Sequence, residues 1–167
     1  MYKYYKIARD RAWQCLIETN INALPINLSQ VLDYYHIKIK SFSSNDKQAF
    51  IENNSIFLNT QLIKTRARFT VAHELGHILL NHKNLSHSIH SESDNKNIGL
   101  LMPAIVLKEI NYIEAQDIAD ACNVSLQSAR YRAERMQELL RRDKFNLSPL
   151  ERQVYNNFKD FINSNKI

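Results

Sequence analysis

His73-Glu74-Leu75-Gly76-His77 constrains this chain more than any other stretch, because the run has chemical meaning only on a helix. Residues four apart on a helix of 3.6 residues per turn lie about 40° apart and one turn along, so His73 and His77 can reach one metal ion. Glu74 projects beside them, where a carboxylate can take a proton from a water held by zinc. Arg68-Phe69-Thr70-Val71-Ala72 before the run and Ile78-Leu79-Leu80 after it are apolar around nearly the whole circumference, which predicts a helix buried on most sides. Three buried polar side chains without partners would cost several kcal/mol, and metal ligation would satisfy them. Gly76 is one of only two glycines. A mid-helix glycine costs roughly 1 kcal/mol against alanine, so a close approach by another element or by the metal site is predicted there. The competing reading is a buried helix whose histidines hydrogen-bond to backbone.

Length and charge set the bounds. A chain of 167 residues can bury a full core and predicts one domain, or one domain with a small appendage. The formal net charge is +5, with the basic excess gathered at Arg130, Arg132, Arg135, Arg141, Arg142 and Lys144. Such a balance permits an acidic partner without demanding one. Cys15 and Cys122 are isolated, form neither a disulfide framework nor a Cys-x-x-Cys knuckle, and are predicted to be small core residues of a protein in a reducing compartment. The first residues lack the apolar stretch of a signal peptide. The longest apolar run, residues 98–107, is interrupted by Pro103 and too short to span a bilayer. A cytoplasmic protein without membrane contact is expected.

The period of the apolar residues changes along the chain. Residues 5–20 carry Ile7, Ala8, Ala12, Cys15 and Leu16 at helical spacing, and Asn27 opens a second helix with Gln30 at the third position of a capping box. Ile37 and Ile39 then alternate with Lys38 and Lys40, while Ala49-Phe50-Ile51 and Ile56-Phe57-Leu58 flank Asn53-Asn54, a pair that tolerates the positive φ of a tight hairpin. Three strands are therefore predicted before the motif helix, which should run from near Gln61 to Asn81. Residues 83–93 have the composition of a loop. Two short helices follow, at 105–111 and 114–121, then a turn at Asn123-Val124-Ser125 and a basic helix over 126–142. Ser148-Pro149-Leu150-Glu151 starts a last helix, with Leu150, Val154, Phe158 and Ile162 on one face. The expected fold is α+β and mainly helical: a catalytic domain over 1–145, with a helix-turn-helix-like part at 105–145, and an amphipathic tail helix over 146–167.

Two histidines do not complete a catalytic zinc site, which takes three protein ligands and a water. The third histidine of the metzincin pattern is absent, since Leu80 and Lys83 stand at the matching positions. His82 lies about 140° around the helix from His77 and suits the end of the helix instead. By chemistry alone His87, His90, Glu92 and Asp94 all remain candidates, and spacing does not choose among them.

The segment Arg68-Phe69-Thr70-Val71-Ala72-His73-Glu74-Leu75-Gly76-His77-Ile78-Leu79-Leu80, with Leu100-Leu101-Met102-Pro103 after it, resembles the ImmA/IrrE family of metallo-endopeptidases. Leu24-Pro25-Ile26-Asn27-Leu28 upstream, and Val124-Ser125 with Ala129 and Arg132 downstream, extend the likeness over about residues 5–140. The resemblance implies a zincin-like fold and a third ligand supplied by a Glu eleven residues before the proline, here Glu92, with Asp94 in the place of the family's Asn. The sequence departs from that pattern at Ser93, Lys96, Asn97 and Ile98. The implied activity is zinc-dependent peptide hydrolysis with His73, His77 and Glu92 on Zn2+ and Glu74 as general base. The implied substrate is a regulatory protein, often a helix-turn-helix repressor of a phage, mobile element or stress regulon, held extended along an edge of the sheet. Asp94 could orient a ligand imidazole. Neither His87, His90 nor any tyrosine is singled out to stabilise the oxyanion. A runner-up of another class is a DNA-binding or non-catalytic repressor-binding regulator that uses the basic helix 126–142, with Asn123 in place of the usual turn glycine.

Overall fold

Asn53 and Asn54 both take positive φ, 47° and 55°, and the hairpin they close joins strand β2 (Ala49–Glu52) to strand β3 (Ser55–Asn59). In this computed structural model, which describes residues 2–81, 98–141 and 147–166, the chain starts with helices α1 (Tyr2–Glu18) and α2 (Leu28–Tyr34) and enters the sheet at β1 (Lys38–Phe42). The sheet order is β1-β3-β2, with β1 parallel to β3 and β2 antiparallel to it. The connection from β1 must therefore pass β3 before β2 begins. Asn59 holds it there: its buried side-chain amide donates to the carbonyls of Ser44 and Lys47. β2 pairs only with β3 among the described residues and so forms an edge.

The sheet leads into the motif helix α3 (Lys64–Leu79), which packs under β3 and β2. Beyond residues 82–97 come α4 (Ile98–Leu101), α5 (Ala104–Glu109), α6 (Ala115–Cys122), α7 (Leu126–Arg141), α8 (Pro149–Asn157) and α9 (Lys159–Asn165). One apolar core runs through α1, the inner face of α3, α4 to α7 and the tail; Leu16, Leu75, Leu101, Ile118, Met136 and Phe158 are all fully buried in it. A mainly helical α+β fold with a three-stranded sheet before the motif helix was expected from the sequence, and it is what the chain adopts. No helix among the described residues is long and apolar enough to cross a membrane.

Local chemistry explains the boundaries and two departures. Ser148 accepts from Glu151 N at 3.3 Å while Glu151 Oε2 accepts from Ser148 N at 2.9 Å, the reciprocal cap that the Ser-Pro-Leu-Glu run predicts. At Asn27 only half of the expected box forms. Gln30 N donates to Asn27 Oδ1, but the Gln30 side chain turns away and donates to Thr19 O at 2.8 Å, tying α2 to the end of α1 instead. The tail is two helices rather than one, meeting at Phe158 (φ −91°, ψ 4°), and the bend brings Val154, Phe158 and Ile162 all into the core. Its packing partners are α1 and α5.

Candidate metal centre

His73, Glu74 and His77 all lie on α3, and the helix presents them as the spacing requires. The two imidazole Nε2 atoms stand 3.0 Å apart, with ring centroids 4.6 Å apart and planes at 82°. Two nitrogen ligands of one tetrahedral zinc, each about 2.0–2.1 Å from the ion, stand about 3.3 Å apart. The pair is thus close to the separation one zinc imposes, and the donor set of two imidazoles suits that ion. Both histidines are half-buried.

Glu74 is buried at 7 % exposure. Burial alone pushes its carboxyl up to about 7, because moving a carboxylate out of water disfavours the charged form. Placed one residue after His73, it flanks the histidine pair rather than facing away from it. A group with that value near neutral pH can accept a proton from water and give it up again.

What fixes this strip is found on the other side of α3. Arg68 Nη2 donates to Ile26 O at 2.6 Å and its Nε to Cys122 O at 3.4 Å, so one guanidinium joins the motif helix to the segment before α2 and to the end of α6. Burial pulls this guanidinium below its ordinary pKa, yet it stays charged. At the far end Arg11 Nε donates to Leu79 O at 3.3 Å. Arg11 is itself held by Glu18 Oε2 at 3.1 Å and Tyr35 Oη at 3.3 Å, and the Tyr35 hydroxyl donates to the same Glu18 oxygen. That hydrogen bond, joined by the one from Arg11, holds the Glu18 carboxyl below the usual carboxylate range. Gly76 lies where Ala8 and Ala12 of α1 come against α3, around a small apolar pocket also lined by Ala72 and Leu100.

Neither anchor was foreseen. Arg68 stood in an apolar flank, and a lone arginine there was the available signal. Asn59 and Tyr35 carried none, because their partners are backbone carbonyls or residues distant in sequence. Glu92, expected as third ligand, lies outside the described residues, as do His82, His87, His90 and Asp94. Among the described residues no group of three His, Cys, Asp or Glu side chains is placed to hold a metal ion.

The helix-turn-helix-like pair forms as expected in backbone. Asn123 caps α6 in the left-handed conformation (φ 52°, ψ 56°), Ser125 Oγ accepts from Ser128 N at 3.2 Å to start α7, and the two helices pack closely. Its charge is another matter. Residues 114–141 hold five carboxylates, Glu114, Asp117, Asp120, Glu134 and Glu138, against four arginines. Of those arginines Arg132 is buried and Arg135 is paired with Glu138. Among the described residues Arg130 and Arg141 are thus the exposed arginines of α7.

The family model for the IrrE N-terminal-like domain, a peptidase domain, matches residues 32–134, well over half of the chain. The match takes in the sheet, α3, α6 and the first half of α7. No curated protein matches the chain.

Proposed function

The chain belongs to the IrrE N-terminal-like family of metallopeptidases, and from that premise we propose that it is a zinc-dependent endopeptidase that cuts a regulatory protein, a helix-turn-helix repressor being the expected type. His73, His77 and Glu92 are assigned as the residues that hold the ion, and Glu74 as general base. The observation that carries this reading is the pair of Nε2 atoms 3.0 Å apart, with the buried Glu74 next to His73 on the same helix. When bound, zinc supplies Lewis acidity, polarising the substrate carbonyl and acidifying the attacking water. Glu74 would accept the proton of that water and return it to the leaving amine nitrogen, one group serving as base and then as acid.

The edge of β2 suits an extended substrate. Asn59 N donates to Gln48 O at 2.9 Å, which makes Gln48 and Asn59 a hydrogen-bonded pair of the antiparallel ladder. Because such pairs alternate, Ala49 and Ile51 turn their N–H and C=O groups to the free side. A peptide running along β2 can take up those bonds, with side chains alternating toward α3 and away from it. The DNA-binding alternative is disfavoured by the carboxylates on α6 and α7.

Glu74→Gln tests the assignment, since it keeps the size of the side chain and removes its capacity to accept a proton. Cleavage should fall by about 100- to 10,000-fold while zinc content by metal analysis stays at the wild-type level. His73→Ala should lose both. Wild-type cleavage by Glu74→Gln would remove Glu74 from the mechanism, and loss of zinc from it would make Glu74 part of the metal site.

A further inference from the structure

We propose that Arg66 is a specificity residue of this peptidase, selecting an acidic side chain about three residues from the bond that is cut. The inference rests on the peptidase reading above and adds the chemistry of the substrate. On a helix with 100° per residue, position 66 lies within about 20° of both His73 and His77, so the three side chains form one strip along α3. Arg66 is exposed on that strip, two turns before the first histidine. Its direction is fixed at two points. Nε donates to Gln48 Oε1 at 2.8 Å, and the guanidinium lies 5.8 Å from the centre of the Phe69 ring, one turn along the same helix. Gln48 is the residue that leads into β2, so Arg66 stands where the strip meets the start of the free edge.

An arginine oriented in this way still has its two terminal amino groups to offer. No carboxylate among the described residues pairs with it, and those four N–H bonds match the two oxygens of a carboxylate in a fork geometry. The distance sets the register. Seven residues of helix rise about 10.5 Å, and an extended peptide advances about 3.3 Å per residue, which places the recognised side chain about three positions from the carbonyl over the histidine pair. The ligand class is therefore an Asp or Glu of an extended substrate segment.

The test uses the full-length, zinc-loaded protein and a library of unstructured peptides whose cut sites are read by mass spectrometry. Wild type should cut with Asp or Glu enriched at the third residue, give or take one, on one side of the scissile bond. Arg66→Glu should lose that preference and gain one for Lys or Arg at the same position. For a single cut peptide, exchange of the acid for its amide should lower kcat/KM about 10- to 100-fold, with the loss falling on KM, and Arg66→Gln should erase the difference. A second readout needs no turnover: in the Glu74→Gln background the acid peptide should bind more tightly than its amide, by fluorescence anisotropy, only while Arg66 is present. Cleavage without acidic preference, or the same preference in Arg66→Glu, overturns the role of Arg66 and leaves the peptidase reading standing. No cleavage of any peptide or protein by the zinc-loaded wild type overturns both.

Discussion

The two sides of α3 obey opposite rules. On one side Arg66 is exposed and His73 and His77 are half-buried, all three polar. On the other, Leu75 is fully buried, Val71 and Ala72 nearly so, and Arg68 binds two backbone carbonyls from other parts of the chain. Leu75 sits about 180° from Arg66 around the helix. The polar strip carries the proposed chemistry, and its half-buried imidazoles are expected to add less stability than the fully buried side chains opposite. The far side contributes the rigidity without which two nitrogens would not stay 3.0 Å apart. Changes on the two sides should therefore separate cleanly in the apo protein: loss of function without loss of fold on one, loss of fold on the other.

The largest break is expected from Leu75→Ala. A fully buried leucine replaced by alanine typically costs 2–5 kcal/mol, about half of what a domain of this size has to lose. The urea midpoint should drop sharply, and zinc affinity should fall with it. His77→Ala, two residues on and on the opposite face of the same helix, should leave the apo midpoint within about 0.5 kcal/mol of wild type while abolishing zinc binding. If His77→Ala unfolded the apo protein as badly as Leu75→Ala does, the division between the two sides would be wrong.

The same division explains what could be read from the sequence. Helix positions, the three strands and the Asn53-Asn54 hairpin follow from local periodicity and turn chemistry, and the structure has them within a few residues of the expected places. His73, Glu74 and His77 were legible as candidates because a metal-binding pattern written on one helix needs only spacing that a single helix can supply, and α3 does carry all three. What joins the elements was not legible. The parallel pairing of β1 with β3 depends on Asn59 reaching the carbonyls of a connecting loop, and the placement of α3 depends on Arg68 reaching carbonyls 42 and 54 residues away in the chain. Backbone carbonyls have no sequence signature. The charge of the helix pair shows a further limit: its arginines suggested a basic face, but burial of Arg132 and pairing of Arg135 take two of them out of that face. A third ligand at Glu92 was implied only by family resemblance, and spacing offered no independent support.

A smaller effect should come from Arg68→Met, which keeps much of the apolar stem and removes both hydrogen bonds. A buried carbonyl left without its donor costs about 1–3 kcal/mol. Arg68→Lys should recover only part of this, because one ammonium cannot fork between Ile26 O and Cys122 O. Zinc affinity should follow stability across the three proteins. Full stability in Arg68→Met would reduce the anchor to a surface contact.

The buried thiols extend the comparison to alkaline pH. Burial pushes Cys15 up to about 11 and Cys122 up to about 12, whereas thiols in the unfolded chain ionise near 8.5. Both folded values are raised, so this contribution to stability is fully present below pH 8.5 or so and is lost as pH rises toward 11. Between pH 7.5 and 9.5 the loss should be on the order of 1 kcal/mol per thiol, read from denaturant midpoints. The double variant Cys15→Ala/Cys122→Ala, though less stable throughout, should show a shallower decline over that window. An equal slope would mean that other groups carry the alkaline sensitivity.

The smallest effect is expected at Gly99, where α4 passes α1. A Cβ added there would meet Ala12 Cβ at 3.7 Å, an ordinary van der Waals contact, and the residue does not use positive φ. Neither a steric clash nor a left-handed backbone opposes the change. Alanine also costs less chain entropy than glycine in a helix, by up to about 1 kcal/mol in a helix interior and less in a helix as short as α4. Gly99→Ala should therefore raise Tm slightly or leave it unchanged, with zinc affinity and cleavage unaffected. Position 99 lies on the packed side of the molecule and touches α1 rather than the histidine strip, so a stabilising change there with no cost to cleavage would show that the two sides can be altered independently. A drop of several degrees would instead mean that α1 and α4 tolerate no added methyl at their crossing, and that the packing behind α3 is tighter than the 3.7 Å contact allows.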